Sequence, residues 1–123
     1  MENIETLRQA TRTAQSALYE AEAIQRDKDN AALVGKTFKY HNAGGGCDKR
    51  WWYYIKVIRT KDGHLRTFAF QDMPNGQIEI ETDHFMMAGS LLGGGYVEIP
   101  KKEFNAAWKR IAAKIAKLPP NAQ

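Results

Sequence analysis

Arg50-Trp-Trp-Tyr-Tyr-Ile-Lys-Val-Ile-Arg-Thr60 (RWWYYIKVIRT) is the stretch whose reading decides the fold. Aromatic and β-branched residues dominate it, which is the composition of a strand. Alternation puts Trp51, Tyr53, Ile55 and Val57 on one face and Trp52, Tyr54, Lys56 and Ile58 on the other. Both faces are apolar near its start, the pattern of a central strand covered on both sides at one end. The adjacent indoles must face opposite ways, so one of Trp51 and Trp52 belongs to the core and the other to a groove or interface.

Toward the C-terminus, Lys61-Asp62-Gly63-His64 carries the Asp-Gly signal of a hairpin turn, and Leu65–Gln71 (LRTFAFQ) pairs back. Pro74-Asn75-Gly76 turns again into Gln77–Glu81 (QIEIE), with Ile78 and Ile80 expected inward. Residues 82–95 read as irregular and end in the triglycine Gly93–Gly95; Tyr96–Ile99 is a last strand. Pro100 opens a helix, where it suits the first turn. Phe104, Ala107, Trp108, Ile111, Ile115 and Leu118 make one apolar face of that helix, and Pro119-Pro120 ends it.

Toward the N-terminus, Leu33–Tyr40 (LVGKTFKY) reads as a strand with Phe38 and Tyr40 on one face. His41–Lys49 (HNAGGGCDK) reads as a glycine-rich loop. Before it, Ile4, Leu7, Thr11, Ala14, Leu18, Ala21 and Gln25 recur at spacings of three and four, which is helical periodicity over about residues 2–29. The fold class is therefore α+β: a long N-terminal helix, an antiparallel five-stranded curved sheet able to close partly into a barrel, and a C-terminal helix. Residues 1–29 form an oligomerisation helix and residues 30–123 the antiparallel β body with its C-terminal helix. Such a helix runs roughly 40 Å, whereas a body of about 90 residues is only roughly 25–30 Å across. Part of the apolar stripe must meet something else, and a second copy is the simplest partner. The other reading is a helix folded back over the sheet.

The 123 residues carry a net charge of +4. It is unevenly placed: residues 1–29 hold six acids and four bases, leaving fourteen bases and eight acids to residues 30–123. A basic body points to phosphate-bearing partners, against the plain alternative of a solubilising surface. The single cysteine, Cys47, excludes an internal disulfide framework. The polar N-terminus lacks the apolar core of a signal peptide, and no apolar run approaches the roughly 20 residues that span a bilayer. The expected location is the cytoplasm, with no membrane partner.

The residues offer no catalytic set. His41, His64 and His84 are scattered, and no second cysteine exists to complete a zinc site, so neither a metal nor a cofactor is expected. Asp62/His64 and Asp83/His84 read as turn residues rather than catalytic dyads. Cys47 beside Lys49 and Arg50 has the surroundings that lower a thiol pKa, but no histidine is placed by sequence as its base. The expectation is that this is not an enzyme. Two glycine-rich loops carry more information. Gly44–Gly46 leads into Lys49, Arg50, Trp51 and Trp52, and Gly93–Gly95 leads into Tyr96. Glycine lets backbone amides approach a phosphate, cations add charge, and an indole stacks on a base. Neither loop matches a Walker or dinucleotide fingerprint. The expected ligand-binding residues are Lys49, Arg50, Trp51, Trp52, Arg59 and Arg66, the last sharing a strand face with Phe68 and Phe70.

Leu33-Val34-Gly35-Lys36 with Phe38 and Tyr40, then Trp51 to Val57, Phe68-Ala69-Phe70-Gln71, Gly76 into Ile78-Glu79-Ile80, and Val97-Glu98-Ile99 with Glu103-Phe104 form a pattern spanning most of residues 30–110. With the leading helix, it resembles the phage anti-Thoeris sponge proteins. The resemblance implies an oligomer of N-terminal helices and antiparallel sheets. It implies sequestration, without cleavage, of a cyclic ADP-ribose isomer or a cyclic oligonucleotide in pockets between protomers. It would make the chain a phage-encoded counter-defence protein of the host cytoplasm. The rival classes are a small-barrel DNA- or RNA-binding module and a protein-contact inhibitor of a host defence factor.

Overall fold

The strand around Trp51–Val57 is the middle of five, and it is longer than its pattern predicted. The computed structural model describes residues 3–44 and 47–118, with the side chains of 43–49 outside the described set. Its elements are α1 (Ile4–Asn30), a single 3-10 turn (Ala31–Leu33), β1 (Thr37–Gly44), β2 (Cys47–Lys61), β3 (His64–Asp72), β4 (Ile78–Met86), α2 (Ala88–Gly93), β5 (Val97–Ile99) and α3 (Lys101–Ala116). The sheet order is β4-β3-β2-β1-β5, and every neighbouring pair is antiparallel. This is the expected α+β arrangement of a helix, a curved five-stranded antiparallel sheet and a second helix. β4 and β5 form its two edges.

Several boundaries differ from the sequence reading. The segment 41–49 is mostly strand, not loop. His41 pairs with Trp52, Asn42 with Trp51 and Gly44 with Cys47, with a register shift between Asn42 and Gly44. Asparagine and glycine are poor strand formers alone, but here they pair with the strongest strand of the chain, and that context overrides propensity. At the other end β1 begins only at Thr37, because Ala31–Leu33 closes a turn against α1. Residues 82–95 are also more regular than expected: β4 continues to Met86, opposite Leu65, and α2 follows. Met86 and Leu91 are buried, so burial of these two side chains draws the segment into order. Ile80, expected inward, is 39% exposed, since it sits on an edge strand while Ile78 packs at the margin of the core.

Both faces of the sheet are covered. On one, Phe38, Ile55, Val57, Leu65 and Ala69 pack under Met86 and Leu91, with Leu33 and Tyr96 at the margin. On the other, Tyr54, Phe70 and Ile99 meet Phe104, Ala107 and Ile111 of α3, with Trp108 and Ile115 partly buried beside them. The helix face expected from its spacing is thus the face that packs, apart from Leu118, which lies past the helix end and is exposed. Thr37 is buried, and its hydroxyl donates to the Ile99 carbonyl at 2.7 Å, tying β5 to the sheet.

α1 stands apart. Asn3 caps it by accepting from the Thr6 N–H at 2.8 Å, and its 27 residues run about 40 Å. Residues 3–22 are exposed throughout. Only the C-terminal end docks, where the Gly63 N–H donates to Asp27 Oδ1 at 2.8 Å. Gly63 belongs to a turn whose two central residues, Asp62 and Gly63, both have positive φ (55° and 84°). That is the type I′ geometry that suits a two-residue hairpin. A Cβ at Gly63 would lie 2.7 Å from Arg26 Nε, so any side chain there would also displace the Arg26 guanidinium. The helix does not fold back over the sheet. Among the described residues no helix is long and apolar enough to cross a membrane.

Candidate functional site

The two indoles do face opposite ways, and each enters a different polar environment. Trp52 lies on the α3 side. His41, its cross-strand partner, stacks on it with ring centres 4.3 Å apart, and Lys39 Nζ lies 4.2 Å from the ring centre. The indole remains 37% exposed. Beside it, a cleft of about 260 Å³ runs between the sheet and α3, bounded by Trp52, Tyr54, Asp72, Arg110, Ile111 and Lys114. Arg110 and Lys114 are four residues apart on α3, so they share one helix face. Lys114 is paired with Asp72, and Lys39 lies 2.9 Å from Glu103. The exposed Arg110 carries the remaining positive charge of the cleft's lining. The volume lies just below the roughly 300–1,000 Å³ of drug-sized ligand sites. It suits one ring or one phosphate of a ligand whose remainder spreads over Trp52.

The structure brings only part of the expected set together. Arg50 is exposed two residues before Trp52 on β2, which alternation places on the same face of the sheet, but only Trp52 of the two lines the cleft. Trp51 borders it, but its indole N–H donates to Gln71 Oε1 at 2.7 Å. The Lys49 and Cys47 side chains lie outside the described residues, as do Gly45 and Gly46. Arg59 and Arg66 sit at the other end of the sheet; seven residues of strand separate Arg59 from Trp52, about 23 Å at 3.3 Å per residue. Both are engaged there by Asp83: Arg59 Nη2 lies 3.2 Å from its carboxylate, and Arg66 Nη1 donates to its carbonyl at 3.5 Å. They do not share a site with the tryptophans. The contributors that sequence reasoning missed are Lys39, His41, Arg110 and Lys114. The available signal was the Arg110/Lys114 spacing flanking the buried Ile111.

On the opposite face, polar side chains form two bonded groups. Gln71 accepts from Trp51 and, at 3.2 Å, from Asn42 Nδ2, and donates to Glu79 Oε2 at 2.9 Å. Tyr53 OH donates to Glu81 Oε2 at 3.3 Å, and His84 Nδ1 lies 2.7 Å from the same oxygen. Tyr40 and Tyr96 pack with ring centres 5.0 Å apart. Burial, then the negative charge of Glu81, pushes the Tyr53 hydroxyl far above its ordinary value. Burial likewise raises Tyr96. Each hydroxyl keeps its proton longer when folded than unfolded. The resulting stabilisation is complete below about pH 10, the unfolded value, and is lost as the pH rises toward the folded value. Thermal melts from about pH 8 to about pH 11 are expected to show falling stability above about pH 10. Tyr53→Phe should flatten that fall; an unchanged alkaline slope would remove Tyr53 as its source.

In the second triglycine, Gly94 and Gly95 lie close to their neighbours. A Cβ at Gly94 would lie 2.2 Å from the Ser90 carbonyl oxygen, and one at Gly95 would lie 3.3 Å from the Tyr40 ring. Asp83 and His84 are engaged by Arg59 and Glu81 respectively. Among the described residues no group of three or more His, Cys, Asp or Glu could hold a metal ion. No family model matches the chain, and neither a curated protein nor a solved structure matches it.

Proposed function

We propose that this protein binds and sequesters a small anionic nucleotide without altering it, as the phage sponges it resembles do with cyclic ADP-ribose isomers and cyclic oligonucleotides. The observation that carries this reading is the half-open Trp52–His41 stack beside Arg110. A base packs on the stack. The Arg110 fork, joined by Arg50, grips a phosphate through two oxygens. The described residues that line the cleft are aromatic, basic and apolar apart from Asp72, and on this reading the ligand leaves as it came. On this reading the chain is a counter-defence protein acting in the cytoplasm of a phage's host.

Calorimetry with cyclic ADP-ribose isomers and with cyclic di- and trinucleotides tests it, followed by heating to recover the ligand. Tight binding and intact recovery are expected. Trp52→Ala should weaken binding by about 1–3 kcal/mol, the worth of one stacked base. Arg110→Ala should weaken it too, whereas Arg59→Ala should not. Recovery of a cleaved product would make the protein an enzyme. Binding to DNA or RNA that collapses with salt, and no binding to nucleotides, would assign it to the nucleic-acid class, because counterion release governs that affinity. Absence of both would leave a protein-contact inhibitor.

A further inference from the structure

The seam along α1 is uncovered by its own chain: Ile4 is 65% and Leu18 60% exposed, and no residue of the helix is buried. Read as heptads, Ile4, Thr11, Leu18 and Gln25 occupy one core position, and Leu7, Ala14 and Ala21 the other. One flank of this seam carries Arg8, Gln15 and Glu22; the other carries Ala10, Ala17 and Ile24. Flanking charges set the orientation in which two helices pair. When two copies run in opposite directions, like flanks face each other. Arg8 then meets Glu22 of the second copy, Gln15 meets its own counterpart, and Glu22 meets Arg8. Across the other flank, Ala10 meets Ile24 and Ala17 meets Ala17, so the backbones approach closely and Ile24 is covered. When the copies run in the same direction, unlike flanks meet, setting Ala10 against Gln15 and Ala17 against Glu22, with no ion pair. That orientation also brings together two bodies that each carry fourteen bases and eight acids.

We propose that α1 is the interface of an antiparallel homodimer, with a second copy of this chain as its occupant and the two bodies held at opposite ends of the helix pair. The inference stands on the helix alone and is independent of what the α3 cleft binds. Sedimentation velocity on the full chain should give a species of twice 13.9 kDa. Arg8→Glu and Glu22→Arg, both at exposed positions, should each weaken it by about tenfold in Kd, which corresponds to about 1.4 kcal/mol for two reversed pairs. Mixing the two variants should restore the dimer as a heterodimer, because one then presents only acids and the other only bases. Combining both changes in one chain should restore the homodimer. Tryptophan fluorescence, which reports only the body, should not change in any variant. A monomeric wild-type chain overturns the proposal. So does a mixture or double variant no tighter than the single variants, or a larger assembly indifferent to these charges.

Discussion

Phe70→Ala is expected to be the most damaging single truncation, costing about 3–5 kcal/mol, the range for a buried aromatic, and lowering Tm by roughly 10–20 °C for a domain of this size. Phe70 has no exposed surface. Its ring lies 5.2 Å from Tyr54, 5.1 Å from Phe104 and 5.3 Å from Trp108, centre to centre. It therefore lies at the centre of the aromatic packing between α3 and the sheet. Those ring pairs add to the transfer term, since each contact is worth about 0.5–1.5 kcal/mol beyond area burial. Trp108→Ala should cost less, near the lower end of the same range at about 3 kcal/mol, because Trp108 is only half-buried. Denaturant unfolding followed by fluorescence measures both. Equal stability of Phe70→Ala and wild type would mean that α3 is not seated as described.

The second large effect is expected at Gly94. Gly94→Ala forces a methyl group to 2.2 Å from a backbone oxygen. Relief requires a change in the backbone between Ser90 and Gly94, where α2 ends, a cost of about 2–3 kcal/mol on the scale of overpacked sites. Gly93→Ala meets nothing within 4 Å. It should be neutral or slightly stabilising, since alanine favours helix over glycine by roughly 1 kcal/mol. The pair separates two roles for this triglycine. A packing role predicts a large loss at Gly94 and none at Gly93. A phosphate-cradling role predicts losses of ligand binding at both with little change in stability. Comparing melting curves of the two variants decides between them, and two equal curves would dismiss the packing account.

Much of the fold was legible because its deciding signals are local. The alternation of Trp51–Ile58, the Asp62-Gly63 turn and the 104–115 spacing each name an element without help from the rest of the chain. What was not legible depended on pairing. His41–Gly44 becomes a strand only because Trp51 and Trp52 lie opposite, and 82–86 only because Leu65–Thr67 lies opposite. The candidate site shows the same division. Trp52 and Arg50 were readable as neighbours in sequence, and the opposite facing of the two indoles followed from strand alternation. Arg110 and Lys114 arrive from a helix some sixty residues later, and no pattern in the strand announces them. Arg59 and Arg66 were drawn in by charge and by a shared face, but strand length carries them to the far end of the sheet, where Asp83 engages them.

The docking of α1 only near its C-terminal end, where Asp27 meets Gly63 and residues 23–30 include its half-buried positions, has a consequence for how this molecule loses its structure. A single helix without tertiary partners is marginal in water, since its stability ordinarily comes from packing rather than from propensity. In an isolated protomer the exposed part of α1, residues 4–22, therefore exchanges amide hydrogens and frays on its own, while the sheet and α3 hold a separate and higher opening energy. All three tryptophans, Trp51, Trp52 and Trp108, report only on that second unit. The body therefore outlasts the free part of α1 as the protomer opens, and a partner that closes over α1 couples the two.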